Sequence, residues 1–275
     1  MRTMTNCEQL HMKVHFAFLR VSAMICLMIA PSAWSASLPD LIDKIRPGVV
    51  GVGTAYPPLQ PNVKGERVVY LATGFVVGDG RHIVTNAHVT GLDLDSDNNQ
   101  TLAVFTGRGV NATAHPAQVV REDKEHDLVL LEIQGSRLPA LQLGNSDAVR
   151  EGQDIAFTGF PLGMALGLYP VTHRGMVAAI TPAAQPSADS DKLNSVKIAR
   201  MRAGFDAFQL DATAYPGNSG SPVFELGSGR VIGVINSVLV KETKETMLAR
   251  PSGITYAIPS RYIKPLLSGL ETARP

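Results

Sequence analysis

Tyr215-Pro-Gly-Asn-Ser-Gly-Ser-Pro222 runs directly into the apolar pair Val223-Phe224. A seryl hydroxyl is a poor nucleophile unless a base takes its proton and a pair of donors receives the oxyanion. Glycines at 217 and 220 permit a tight turn around Ser219. Such a turn frees the amides of Gly217 and Ser219 to face one concavity. Taken alone, the octapeptide also reads as a simple Gly/Ser hairpin turn. The choice between the two rests on what lies upstream.

Two upstream segments supply the missing chemistry. In Ile83-Val-Thr-Asn-Ala-His-Val89 an apolar strand delivers His88 at its end, where a turn leaves the imidazole open to a cleft. In His126-Asp-Leu-Val-Leu-Leu-Glu132 the carboxylate of Asp127 immediately precedes a strongly apolar strand. Singly, these are an ordinary surface histidine and an ordinary aspartate at a strand start. Together they place a base, an orienting carboxylate and a nucleophile in the order His88, Asp127, Ser219, each at the edge of a predicted strand. The first two fall in one series of strands and Ser219 in another, so the site is expected in the cleft between them.

The rest of the chain agrees with two such series. Short β-rich runs separated by Gly, Pro, Asn and Asp are predicted at 49–54, 68–77, 82–86, 102–106, 113–121 and 128–133. A second set is predicted at 154–160, 172–180, 207–210, 222–225, 231–240 and 254–258, with the division near 138–152. Many short strands without alternating helices indicate an all-β protein. A short opening helix is expected over 37–45, capped by Ser37 with Pro39 in its first turn. A closing helix is expected over 260–270, where Ile263, Leu266, Leu267 and Leu270 share a face, short or broken because Pro265 is an awkward interior residue. Segments 56–67, 182–194 and 241–253 read as surface insertions.

With all three motifs in view, the sequence resembles the trypsin-like peptidases of the HtrA (Deg) branch. The resemblance rests on Thr73-Gly-Phe-Val-Val with His82-Ile-Val-Thr-Asn-Ala-His-Val89, on Asp127-Leu-Val-Leu-Leu, and on Asp211-Ala-Thr-Ala-Tyr-Pro-Gly-Asn-Ser-Gly-Ser-Pro222. Gly233-Val-Ile-Asn-Ser237 and Ile254-Thr-Tyr-Ala-Ile-Pro259 extend it, so that it spans roughly residues 40–268. It implies two six-stranded antiparallel β-barrels of the chymotrypsin-like kind with a short C-terminal helix. The first barrel would lie at about 45–140 and the second at about 150–260, within a domain of residues 36–275. It implies a serine endopeptidase with catalytic His88, Asp127 and Ser219, an oxyanion hole of Gly217 and Ser219, and no cofactor. Peptide or protein substrates would pair with Ile235, Asn236 and Ser237 as an added strand. Thr213 would floor the specificity pocket and, being uncharged, favour a small or medium apolar residue before the cut. Asp211 would stabilise the loop. The chain departs from the branch in ending without a PDZ domain and in having Ser221 where glycine is usual.

Other classes of function find less support. A peptide-binding or chaperone-like protein built on the same fold, with a latent or inactive triad, remains the alternative. An esterase-like hydrolase would need a GxSxG elbow and αβ alternation. His82, His115, His126 and His173 lack paired spacing of the HExxH kind, so no metal site is expected. A pI near 7.8 offers no basic excess for nucleic acid. Lys192, Lys197, Arg200 and Arg202 form a modest basic cluster, read as a solvated face.

The amino terminus is of another kind. Lys13, His15 and Arg20 precede the apolar run 21–30, which is followed by Pro31-Ser-Ala-Trp-Ser-Ala36. Positive flank, apolar run and small residues are the order of a secretory signal peptide, with cleavage expected before Ala36. An uncleaved anchor is the other reading, although the run is short for a span of about 20 residues. Losing Arg2, Lys13 and Arg20 against Glu8 moves the formal net charge from +1 to −1. It also removes Cys7 and Cys26, so the exported domain would be held by its core, without disulfides.

Overall fold

The computed structural model describes residues 37–56, 68–162, 167–183, 204–236 and 253–270. The expected leader, Ser237, the basic cluster at 192–202 and most of the three expected insertions lie outside them. Ser37 caps helix α1 (Leu38–Ile45) by accepting from the Asp40 amide, and Pro39 sits in the first turn, where its missing N–H costs nothing. Leu41 and Ile45 point from one face of α1 into the core.

Twelve strands follow among the described residues. The first six are β1 (Val49–Ala55), β2 (Val68–Val77), β3 (His82–Thr85), β4 (Thr101–Thr106), β5 (Thr113–Asp123) and β6 (Leu128–Ile133). They close into an antiparallel barrel in the order β1-β2-β3-β6-β5-β4. The second six are β7 (Asp154–Gly159), β8 (Val171–Pro182), β9 (Asp206–Asp211), β10 (Pro222–Glu225), β11 (Val231–Asn236) and β12 (Ile254–Pro259). They close in the order β10-β11-β12-β9-β8-β7. Closure leaves no unpaired sheet edge in either barrel, which suits strands as short as β3 and β10. The expected strand over 231–240 is described as far as Asn236.

Each barrel fills its own interior. Val50, Val52, Val76, Ile83, Val104 and Leu131 pack the first, and Ile155, Phe157, Phe208, Leu210, Val223 and Ile235 the second. A third cluster joins them: Phe75, Phe105 and Leu128 meet Phe160, Leu168 and Phe224, with Leu41 and Ile45 of α1 and Leu266 packed on the same mass. Each such side chain, fully buried, contributes roughly 1.5–3 kcal/mol. This apolar seam docks the barrels and fixes the cleft between them.

The closing segment is shorter than its hydrophobic spacing suggests. A 3-10 turn, Ser260–Ile263, leads into helix α2 (Lys264–Leu267). Pro265 lies in the first turn of α2 rather than in a helix interior, so its missing N–H breaks no helical bond. The far end of α2 is held from the first barrel. Arg121 on β5 donates from Nη1 to the carbonyls of Leu266 at 2.9 Å and Ser268 at 2.5 Å.

Candidate active site

His88 lies in a 3-10 turn, Ala87–Val89, just past the end of β3, and Asp127 lies just before β6. Pairing of β3 with β6 brings the two together, with Thr85 opposite Val129. His88 Nδ1–H donates to Asp127 Oδ2 at 2.6 Å, and the His88 backbone N–H donates to Oδ1 at 2.8 Å. The carboxylate therefore grips both the ring and the backbone of one residue. This leaves Nε2 as the ring nitrogen available to accept a proton.

Asp127 adopts φ +51°, a left-handed conformation that aspartate tolerates better than most residues. Local bonds hold it there. Its carbonyl accepts from the Ala87 N–H at 3.1 Å and from Asn86 Nδ2 at 3.1 Å. Upstream, Asp123 ties down the turn by accepting from His126 twice, at the backbone N–H (3.1 Å) and at Nδ1 (2.7 Å). The His126 ring in turn stacks on Tyr262 with centroids 3.9 Å apart.

The second barrel supplies a third partner. Asn236, at the end of β11, donates from Nδ2 to Asp127 Oδ2 at 2.8 Å. The oxygen that orients the imidazole thus accepts from both barrels. Sequence reading assigned Asn236 to substrate pairing and missed this contact. Asn236 is 1% exposed, and a polar side chain so buried needs a hydrogen-bond partner.

Ser219 is 5% exposed, in a loop fastened on both sides. Its carbonyl accepts from the Thr73 N–H on β2 at 2.9 Å, and the next amide, Gly220, donates to the Ile235 carbonyl at 2.9 Å. Ile235 N–H returns a bond to the Ser221 carbonyl at 2.9 Å, and its side chain is fully buried. Both of its backbone groups hold the Ser219 loop. Thr213 is half-buried between the buried residues Ala212 and Ala214.

The turn before Ser219 is set by two carbonyl bonds. Leu162 N–H donates to the Pro216 carbonyl at 2.8 Å, and Thr73 Oγ1–H donates to the Gly217 carbonyl at 2.8 Å. In a trans peptide the N–H points opposite to the C=O. The Gly217 N–H is consequently turned away from the 160–162 segment. Gly217 has φ +98°, and a Cβ there would lie 2.5 Å from the Phe160 carbonyl oxygen, so glycine is required twice over. Ser221, the departure from the usual glycine, fits because its hydroxyl occupies the space that a Cβ at Gly159 would take.

Among the other described histidines, His82, His115 and His126 have hydrogen-bond partners of their own. His82 pairs with Asp79 at 2.8 Å and His115 with Thr106 at 2.9 Å. Burial works to raise the Asp79 carboxyl, but the Arg81 amide, the His82 ring and the charge of Arg137 carry it below its usual range. His173 stacks on Phe157 at 4.8 Å and lies 5.9 Å from the Tyr215 ring, and burial holds it below the ordinary 6.5. Among the described residues, no helix is long and apolar enough to cross a membrane.

Two closed antiparallel barrels of this topology define the chymotrypsin-like class of folds. Within that class, the trypsin-like peptidase domain family matches residues 72–234, and the chain belongs to it, in the HtrA branch. Serine protease HTRA1 of Xenopus tropicalis is 28% identical over 234 residues, covering 83% of this chain and 42% of the relative. A probable periplasmic serine endoprotease DegP-like of Marinomonas sp. (strain MWYL1) is 31% identical over 213 residues, covering 77% of this chain and 38% of the relative. The chain thus spans about two-fifths of the length of these relatives. Among solved structures, the HtrA-type protease AlgW with decapeptide superposes with a TM-score of 0.59 at 23% identity, covering 86% of this chain and 67% of that one.

Proposed function

We propose that the chain is an exported serine endopeptidase that cuts peptide bonds through His88, Asp127 and Ser219. The observation that carries this reading is the Asp127 carboxylate, which holds His88 Nδ1–H at 2.6 Å and leaves Nε2 to act as base. Ser219 attacks the scissile carbonyl while His88 accepts its proton. Asp127 keeps the imidazole in the required tautomer and stabilises the imidazolium. The amides of Gly217 and Ser219 receive the oxyanion, each donor contributing roughly 3–4 kcal/mol in comparable sites. His88 then protonates the leaving amine, and water releases the acyl-enzyme.

Substrate chemistry follows from the surroundings of this centre. An extended peptide adds to the Asn236–Ser237 edge, and Thr213 admits a small or medium apolar side chain before the cut. The leader 1–35 is removed during export, placing the domain in the periplasm or medium. The DegP-like relatives described as periplasmic support that placement.

Fluorophosphonate labelling of the purified protein, with peptide mass spectrometry and Ser219→Ala as control, tests the mechanism. A single adduct on Ser219, absent from the folded alanine variant, is expected, together with loss of peptide hydrolysis in that variant. Hydrolysis undiminished in Ser219→Ala would refute the assignment. A wild-type serine that takes no label would favour a peptide-binding protein. Amino-terminal sequencing of the exported form is expected to begin at Ala36.

A further inference from the structure

The geometry points to the side-chain hydroxyl of Thr73 as a positioning residue for the oxyanion turn. This rests on the peptidase reading above. Thr73 belongs to β2 of the first barrel and is fully buried, yet its hydroxyl makes two bonds into the second half of the chain. It donates to the Gly217 carbonyl at 2.8 Å and accepts from the Phe160 N–H at 2.9 Å. Two residues on, the Leu162 N–H donates to the Pro216 carbonyl at 2.8 Å. These bonds close a ring: Thr73 hydroxyl to Gly217, back one peptide to Pro216, across to Leu162, and along the chain through Pro161 and Phe160 to the same hydroxyl.

The ring restrains two consecutive peptide units. Leu162 holds the carbonyl that precedes the Gly217 N–H, and Thr73 holds the carbonyl that follows it. A glycine at φ +98° has no side chain to limit its rotation, so outside bonds must set the direction of its N–H. At the other end the Asn218 N–H donates to the Tyr215 carbonyl at 2.9 Å, a bond within the turn that leaves its attachment to the first barrel to Thr73. Thr73 fixes the second end and, through Phe160, fixes the segment that carries Leu162. The residue is suited to this by its branching. A β-branched side chain is stiff at χ1, so the hydroxyl direction is set by the strand itself. Its remaining polar groups tie the same point down, since Thr73 N–H donates to the Ser219 carbonyl at 2.9 Å and its carbonyl accepts from Thr85 Oγ1 at 2.7 Å. The first barrel therefore aims the donor that sits on the second.

The test uses the whole chain and Thr73→Val, which keeps the shape and loses both hydroxyl bonds, with Thr73→Ser as rescue. An internally quenched peptide with an apolar residue before the cut gives kcat and KM, normalised to sites titrated with the fluorophosphonate. A peptide aldehyde, which binds Ser219 as a tetrahedral adduct, reports the oxyanion site independently. Loss of one oxyanion donor costs about 100- to 1,000-fold in kcat. Misaiming one is expected to cost Thr73→Val about 10- to 100-fold per titrated site, with KM nearly unchanged and aldehyde affinity falling in parallel. Thr73→Ser should recover most of the rate. A purely structural role would lower the number of titratable sites and the melting temperature but leave kcat per site intact, and that result would overturn the proposal. So would a loss confined to KM, or a serine variant that recovers nothing. Thr73→Ala gives the same readout if the valine variant does not fold. A wild-type chain that cuts no peptide and takes no label would overturn the peptidase reading itself, and this proposal with it.

Discussion

Replacing Gly217 by alanine separates the two demands that the oxyanion turn makes on its backbone. The new Cβ would sit 2.5 Å from the Phe160 carbonyl oxygen and 3.1 Å from the Leu162 nitrogen, and real Cβ contacts essentially never fall below 3.0 Å. Something must retreat by about half an ångström in a region packed at crystal-like density. The atoms in the way belong to the segment that holds the Pro216 carbonyl, so relieving the clash breaks the Leu162 bond and lets the Gly217 amide rotate out of line. Left-handed backbone adds about 1–2 kcal/mol of strain for a residue with a Cβ. Loss of one oxyanion donor raises the barrier by roughly 2.7–4 kcal/mol, so kcat should fall about 100- to 1,000-fold with little change in KM. Gly152→Ala is the matched control. That residue has φ +83°, and a Cβ there would meet nothing within 4 Å, so it carries the strain without the clash. Both variants are assayed for peptide hydrolysis and for thermal unfolding. Both should lose stability, Gly217→Ala more because it adds the clash to the strain, and only Gly217→Ala should lose turnover. The reasoning fails if Gly217→Ala stays within about tenfold of wild type, or if Gly152→Ala loses as much kcat.

Two further outcomes follow from the same contacts. Asn236→Leu removes the second donor to Asp127 Oδ2 while filling a similar volume; hydrogen bonds to charged groups contribute about 1.5–3 kcal/mol, so kcat/KM should drop by about 10- to 150-fold, and a change under twofold would show the bond to be incidental. His173→Phe should flatten the dependence of stability on pH. Burial holds the His173 imidazole below 6.5, so the unfolded chain binds more protons than the folded one, and wild-type stability is lost as pH falls below 6.5. Urea denaturation at a series of pH values should show the phenylalanine variant gaining on wild type as the solution is acidified, and parallel curves would refute the assignment.

The barrels were legible because their signals are local. Short β-rich runs separated by turn residues placed the strands of β2, β6 and β10 at the residues where they lie. His88 and Asp127 were legible for a related reason, since each ends or begins such a run and β-pairing needs only neighbouring strands to bring them together. The closing helix was legible in its apolar face, and Pro265 already pointed to a short one. Spacing reports which residues share a side, whereas the position of Pro265 within the first turn depends on where the 3-10 turn before it stops.

What stayed hidden was the contribution of each barrel to the other's half of the site. Thr73 and Asn236 both sit within β-strands, where a sequence presents them as one more threonine in a β-branched run and one more polar residue at a strand end. Their roles appear only when residues 144 apart, Thr73 and Gly217, or 109 apart, Asp127 and Asn236, are placed side by side. No window of local sequence contains both members of either pair. Such contacts also explain why the motifs can look complete and still fail to specify a working site. On the proposed reading the Gly-Asn-Ser-Gly turn supplies the donors and the His-Asp pair the base, and each is also bonded by a side chain from the opposite barrel, Thr73 and Asn236. On the peptidase reading, docking of the barrels along the Phe75, Phe105, Phe160 and Phe224 seam would be a condition of catalysis as well as of stability. A substitution that loosened that seam by less than the folding free energy would leave both barrels intact while misaiming the groups between them.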